Sequence, residues 1–129
     1  MNMQSNPTQT SPHLLEIRTR EEAERFCSQI KLTIDHLKDI IERETGYLKN
    51  IDIAQVETLQ ARKATLSRAY AQDLKIFAAN ANHILDLVPV GIDSLQQKQL
   101  ELREALLNNA QILNAVKDVS ESLIRRTAE

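Results

Sequence analysis

The sequence predicts an all-α protein, with three long antiparallel helices forming a coiled-coil-like bundle. Apolar residues recur at steps of three and four along most of the chain, which is the spacing of one helix face. Gly occurs twice, Pro three times, and aromatic residues make up 3% of the 129 residues, so the composition suits neither a β-sandwich nor a loop-rich enzyme. Capping and turn signals divide the periodic segments into helices at about 20–49, 53–87 and 94–126.

The first 18 residues are predicted to be a disordered tail in front of a single helical domain at 19–129. The opening segment MNMQSNPTQTSP is polar, contains two of the three prolines and has no periodicity. The segment from His13 to Ile17 leaves two possibilities open. It docks on the bundle as a short apolar clip, or it stays loosely attached.

The first helix is predicted from Arg20 to Lys49. Thr19 with Glu22 three residues later is a capping box, which satisfies the free amides of a helix start. The apolar stripe is broad enough to pack against two neighbouring helices rather than one. Gly46 either ends the helix early or lies inside it. The stripe comprises Phe26, Cys27, Ile30, Ile34, Leu37, Ile40, Ile41, Glu44, Tyr47, Leu48 and Ile51.

The second helix is predicted from Ile53 to Leu87, after a turn at residues 50–52. Asp52 followed by Gln55 is again a capping arrangement, in which the carboxylate accepts from the first amides of the helix. Two apolar stripes compete along this helix, so we expect the half of the hairpin distant from the turn to be the looser half. The first stripe comprises Val56, Leu59, Lys63, Leu66, Tyr70, Asp73, Phe77, Asn80, Ile84 and Leu87, and the second comprises Leu74, Phe77, Ala81, Ile84 and Val88.

The third helix is predicted to begin at Asp93 or Ser94, because Pro89 and Gly91 are expected to stop the second helix. Its inner positions include the polar residues Gln99, Asn109 and Ser120. Beyond Ile112 the helix is apolar around more of its circumference than one hairpin can cover. These residues either complete the core or form a helix-in-groove surface for an amphipathic segment of another chain.

Charge and composition exclude two classes of partner. Sixteen Lys and Arg are interspersed among eighteen Asp and Glu, for a net charge of −2, so no basic surface for nucleic acid is expected. No apolar run approaches the roughly 18 residues of a membrane span, and no signal peptide is recognisable. Cys27 is a single cysteine on an apolar stripe, as expected of a core residue in a reducing compartment. We therefore expect a cytoplasmic protein.

No set of residues has the spacing of a catalytic or metal site. His13, His36 and His83 are far apart, and none has a His or Cys partner at ligand spacing. Pairs of acidic residues lie where solvated helix faces are expected, and there is no glycine-rich phosphate loop. The sequence therefore predicts no catalytic, cofactor-binding or metal-binding residues, and a protein that is not an enzyme.

Glu44 and Lys63 are charged residues on the inward stripes near the predicted turn. If the hairpin folds about Ile51, the two side chains come within reach of each other. Either they form an ion pair between the helices, or both extend outward from the edge of a narrow bundle.

The hairpin carries a motif, Glu44-x-x-Tyr47-Leu48-x-x-x-Asp52-x-x-x-Val56-x-x-Leu59-x-x-x-Lys63-x-x-Leu66. This motif resembles the signature of the FlgN family of flagellar type III export chaperones. The resemblance extends over about residues 20 to 127. The signature residues are Glu44, Leu48, Asp52, Leu59, Lys63 and Leu66.

The resemblance implies a cytoplasmic chaperone that binds hook-associated (hook-filament junction) proteins, prevents their premature assembly and delivers them to the flagellar export apparatus. Substrate binding in that family involves the terminal helix. Matched by position, the expected partner-binding residues are Ile112, Leu113, Val116, Val119, Leu123 and Ile124. The alternative is a scaffolding coiled-coil protein that self-associates through the same apolar residues.

Overall fold

The first helix lies between the other two and packs against both. A computed structural model describes residues 16–128, which form α1 (Arg20–Lys49), α2 (Ile53–Leu87) and α3 (Pro89–Ala128), with no strand among them. α2 and α3 contact each other over only a few residues. The all-α bundle is thus confirmed, and the broad stripe of α1 is explained by its two neighbours.

The contacts between side chains fix the direction of each helix. Gln29 contacts Asp73 and Glu44 contacts Lys63, so α1 and α2 are antiparallel. Along α1 and α3 the contacts keep one order, with each pair 63 residues apart, so these two helices are parallel. The pairs are Lys31 with Ser94 at 3.4 Å, Asp35 with Lys98 at 2.8 Å, and Lys38 with Glu101 at 3.4 Å.

The start of α1 is held by local chemistry. Thr19 Oγ1 accepts from the amide of Glu22, and the Glu22 carboxylate accepts from the amides of Thr19 and Arg18. Those backbone amides hold the pKa of Glu22 below its ordinary value. The capping box is therefore present as predicted.

Ile17, placed in the disordered tail by the prediction, instead docks on the bundle. Its side chain is 1% exposed, its amide donates to Asn80 Oδ1 at 2.9 Å, and His83 Nδ1 lies 3.2 Å from its carbonyl oxygen. The clip alternative therefore holds at this residue. The rest of the predicted tail, residues 1–15, lies outside the described residues.

The turn between α1 and α2 is a Schellman motif with an unusual residue at its centre. The amide of Asp52 donates to Tyr47 O at 2.9 Å and the amide of Ile51 to Leu48 O at 3.0 Å. Ile51 has a φ of 54°, which is sterically costly for a β-branched residue. Gly46 lies inside α1, and an added Cβ there would meet nothing within 4 Å, so the glycine is not required by packing.

α2 and α3 are joined by a single residue, Val88. α3 begins at Pro89 rather than at Asp93 or Ser94, so the predicted start was wrong by about one turn. Proline ends a preceding helix, but its fixed φ and missing amide also suit the first position of the next one. Pro89 does both, and Asp93 and Ser94 lie inside α3.

The apolar core is concentrated at the end of the bundle distant from the turn, which we call the closed end. Ile17, Ile84, Val88 and Ile92 meet there with the first half of α1. The expectation that this half is looser was wrong, since Asp73 and Ile84, the buried residues of α2, both lie in it. Burial raises the pKa of the Cys27 thiol, which suits its place in this core. None of the helices in the described chain has the length and apolarity needed to cross a membrane.

Candidate functional site

A buried polar cluster joins all three helices near the turn, and we call it the Glu44 cluster. Glu44 is 4% exposed, and its carboxylate accepts three hydrogen bonds. Lys63 Nζ donates to Oε1 at 2.9 Å, Gln60 Nε2 donates to Oε2 at 2.6 Å, and Asn109 Nδ2 donates to Oε1 at 2.9 Å. Asn109 Nδ2 also lies 3.0 Å from Thr45 Oγ1, which donates to the carbonyl of Ile41. The cluster therefore fixes the register of α2 and α3 on α1.

The hydrogen bonds outweigh the cost of burying the Glu44 charge. Burial pushes the pKa of Glu44 upward, but the bonds from Gln60, Lys63 and Asn109 together hold it below its ordinary value of 4.5. Lys63 keeps 29% of its side chain exposed, so the ammonium group remains partly hydrated. Of the two possibilities left open by the sequence, the ion pair is the one that forms.

A second buried carboxylate, Asp73, has the opposite electrostatic balance. It is 4% exposed. Oδ1 accepts from Gln29 Nε2 at 3.1 Å, whereas Oδ2 has no hydrogen-bond partner among the described residues. Burial raises the pKa of Asp73 above its ordinary value, against the smaller lowering effects of Gln29 and Thr33. The α1–α2 interface thus holds one stabilised and one destabilised carboxylate.

The remaining signature residues have structural positions. Leu48 is buried in α1, and Asp52 caps α2 by accepting from the amide of Gln55 at 3.4 Å. Leu59 and Leu66 are half-buried on α2, like Lys63 between them. The signature segment therefore forms the turn and the hairpin contacts around the Glu44 cluster, and we find no open site among these residues.

The six predicted partner-binding residues lie together near the end of α3, and we call them the terminal stripe. Ile112 and Val116 are half-buried. The other four are exposed to 49%, 51%, 55% and 68%, namely Leu113, Val119, Leu123 and Ile124. Between Pro89 and Arg126 of α3, the last buried residue is Asn109. The structure therefore does not use the terminal stripe as core.

The exposure of the terminal stripe follows from the relative lengths of α1 and α3. Thr45 contacts Asn109, 64 residues later, so Lys49 at the end of α1 lies level with Leu113. α3 continues to Ala128, about 22 Å further at 1.5 Å per residue. α1 ends too early to cover this part of α3.

The buried and the exposed groups of the bundle differ in what they offer to another molecule. Among residues 16–128 no three His, Cys, Asp or Glu side chains come close enough to hold a metal ion. Glu44 and Asp73 are each 4% exposed and lie between helices. The exposed leucine, valine and isoleucine side chains of the terminal stripe offer a surface for another apolar segment.

Sequence reasoning missed the other members of the Glu44 cluster. Gln60 lies three residues before Lys63, on the same face of α2, and that spacing was a usable signal. The sequence identifies Asn109 as a polar inner position of α3 but assigns it no partner. Its side chain is in fact hydrogen-bonded to α1.

Comparison with family models, with curated proteins and with solved structures finds no significant match.

Proposed function

We propose that this protein is a cytoplasmic export chaperone for hook-associated proteins. In this proposal the terminal stripe binds the terminal amphipathic segment of such a protein, keeps it from assembling prematurely and delivers it to the flagellar type III export apparatus. The signature on the hairpin supports the family, and the exposure of the terminal stripe supports the binding role. The exposure of Leu113, Val119, Leu123 and Ile124 is the observation that carries the proposal.

The physical basis is the mutual covering of two apolar helix faces. A junction protein's terminal segment has no partner before assembly, and the end of α3 has an apolar face that α1 and α2 do not cover. Burying both faces removes apolar area from water. Ordering the partner segment offsets part of that gain, so a dissociation constant between micromolar and nanomolar is expected. Affinity in that range permits the release that export requires.

The test replaces two residues of the terminal stripe by aspartate. Val116→Asp with Leu123→Asp should abolish copurification with a junction protein, while helicity by circular dichroism persists. The matched control is Val90→Asp with Leu107→Asp, which makes the same two changes at exposed positions on α3. Retained binding by the folded Val116/Leu123 variant overturns the site, as does equal loss in the control.

Light scattering at several protein concentrations distinguishes the scaffolding alternative. A stable homo-oligomer that the same Val116/Leu123 variant dissociates would favour self-association through the terminal stripe. A chain that stays monomeric alone and forms a one-to-one complex with a junction protein agrees with the chaperone proposal.

A further inference from the structure

A second apolar surface, separate from the terminal stripe, lies between α2 and α3. Both helices pack on α1 but hardly touch each other, and the space between them is a groove whose floor includes Ile30. Its deeper part is a cavity of about 240 Å³, with Leu74, Phe77 and Leu85 on the α2 side and Ile92 on the α3 side. We call this surface the α2–α3 groove.

The groove continues toward the turn as a shallower depression of about 530 Å³ that includes Tyr70, Arg103 and Leu106. Gln96 and Gln99 line both parts. From Leu85 to Tyr70 on α2, or from Ile92 to Leu106 on α3, the length is about 21 to 22 Å at 1.5 Å per residue. That length matches a helix of about four turns.

The walls of the groove expose apolar side chains that none of the described residues covers. Leu74, Leu85 and Leu106 are 38%, 48% and 44% exposed. Leu74 belongs only to the second apolar stripe of α2, whereas Phe77 belongs to both stripes and also packs against the core. Two directions of apolar contact on one helix are expected when the helix has two neighbours on adjacent sides. One neighbour of α2 is α1. The groove is where a second neighbouring helix would pack.

One weak contact bridges the groove. Gln99 Nε2 donates to Tyr70 Oη at 3.3 Å, near the upper limit of hydrogen-bond length. Since amides and a phenol can exchange partners, this contact does not prevent a helix from entering between α2 and α3. The residues lining the groove include no carboxylate.

Arg103 gives the groove its charge preference. It is the charged residue lining the groove, it is exposed, and it forms no ion pair with any carboxylate of the described chain. An arginine beside an apolar surface favours a carboxylate placed next to the apolar face of a partner. A partner helix with basic residues at those positions is disfavoured.

We propose that the α2–α3 groove binds an amphipathic helix of another protein, about four turns long, whose apolar stripe is flanked by acidic residues. The bound helix becomes the fourth helix of the bundle, with its leucine-type side chains against Leu74, Leu85 and Leu106 and a carboxylate beside Arg103. This site is separate from the terminal stripe, and its existence does not depend on the export role.

The test uses two synthetic peptides of about 18 residues with leucines at i, i+4, i+7 and i+11 spacing. One peptide has glutamates flanking the leucines, and the other has lysines at the same positions. Binding to the full chain is measured by fluorescence anisotropy. We expect the glutamate peptide to bind roughly tenfold more tightly than the lysine peptide, and Arg103→Glu to reverse that order.

Variants of the groove and of other surfaces locate the bound peptide. Leu74→Glu and Leu85→Glu, each at an exposed position that tolerates substitution, should each weaken the glutamate peptide by at least about tenfold. Leu32→Glu, on the outward face of α1 and 56% exposed, is the matched control and should leave affinity unchanged. Val116→Asp with Leu123→Asp should also leave it unchanged, which separates this site from the terminal stripe.

The following results overturn the proposal: no difference between the two peptides, equal weakening by Leu32→Glu, or unchanged binding in both folded groove variants. A homodimer in sedimentation equilibrium that Leu85→Glu dissociates also overturns it, because a second copy then occupies the groove. Circular dichroism and a thermal melt verify folding, and either leucine variant alone suffices if the other does not fold.

Discussion

The two ends of the bundle are built from different interactions. At the closed end, Ile17, Ile84, Val88 and Ile92 interlock with α1 in an apolar core. At the turn end, the helices are joined by the charged and amide groups of the Glu44 cluster, next to a residue in a costly backbone conformation. The three helices are thus joined by buried apolar side chains at the closed end and by hydrogen bonds at the turn end.

The difference between the two ends indicates that the stability of the bundle and the register of its helices have separate sources. Apolar burial is strong but not directional, so the closed end supplies stability without fixing which residues face each other. A buried carboxylate with three donors accepts only one alignment, because a shift by one residue leaves unpaired polar groups between helices. We infer that the turn end sets the register and that the closed end supplies most of the free energy of unfolding.

The largest expected effect comes from the closed end. Ile84 is fully buried, so Ile84→Ala should lower the free energy of unfolding by about 3 kcal/mol through lost burial and a residual cavity. Leu59→Ala, at a half-buried position of the turn end, should cost about 1 kcal/mol. Urea denaturation measures both losses, and the slope of the unfolding free energy against urea concentration should be unchanged in both variants. Equal losses at the two positions contradict the assignment of stability to the closed end.

The next effect concerns the Glu44 cluster. Glu44→Ala should cost about 2 kcal/mol, because Lys63 and Asn109 lose their acceptor. A double-mutant cycle of Glu44→Ala with Lys63→Ala should show coupling of at least about 0.5 kcal/mol. The exposed pair Asp39 and Arg43, at 3.1 Å, is the control, with coupling close to zero. Strictly additive losses at Glu44 and Lys63 would remove the ion pair from this account.

A smaller effect of opposite sign is expected at the turn. Ile51→Gly should raise the free energy of unfolding by about 1 kcal/mol, because glycine adopts a positive φ without the penalty of a β-branched side chain. Ile53→Gly, within the first turn of α2, is the control and should be destabilising. Thermal and urea unfolding measure both. A loss of stability in Ile51→Gly would show that its exposed side chain contributes more than the conformation costs.

The last comparison concerns the sign of a pH effect at Glu44 and Asp73. The pKa of Glu44 is lowered in the fold, so its stabilisation is present above 4.5 and lost as the pH falls through the folded pKa. The pKa of Asp73 is raised, so its favourable contribution is present below 3.8 and lost as the pH rises through the folded pKa. Glu44→Gln should therefore become less harmful toward acid pH, and Asp73→Asn should become more favourable toward neutral pH. Urea unfolding between roughly pH 3 and 7 tests this, and parallel pH profiles for the two variants would contradict it.

Local chemistry explains why most helix ends were predictable. The bounds of α1 and α2 follow from Thr19 with Glu22 and from Asp52 with Gln55, which act within one turn of the chain. Pro89 was misjudged because one residue ends α2 and begins α3, and a local pattern does not separate those two roles.

Contacts between residues far apart in the chain could not be predicted from the sequence. The turn fixes the approach of Lys63 to Glu44, so the sequence includes the ion pair as one of two alternatives. Asn109 reaches the same carboxylate only because α1 and α3 align with an offset of 64 to 65 residues, which depends on the packing of the whole bundle. The α2–α3 groove likewise depends on the spacing between helices, although the second stripe of α2 was visible in the pattern.

The parallel pairing of α1 with α3 has a consequence for the order of events during synthesis. α1 meets α2 across a three-residue turn, so this hairpin can form as soon as both helices have left the ribosome. The α3 residues that pack on α1 follow their partners by 63 residues, which is a delay of roughly 3 to 13 s at the usual rates of translation. During that interval the residues of α1 that pack on α3 have no third helix to cover them. The nascent hairpin is therefore the stage at which this chain is most exposed to aggregation and to capture by general folding factors.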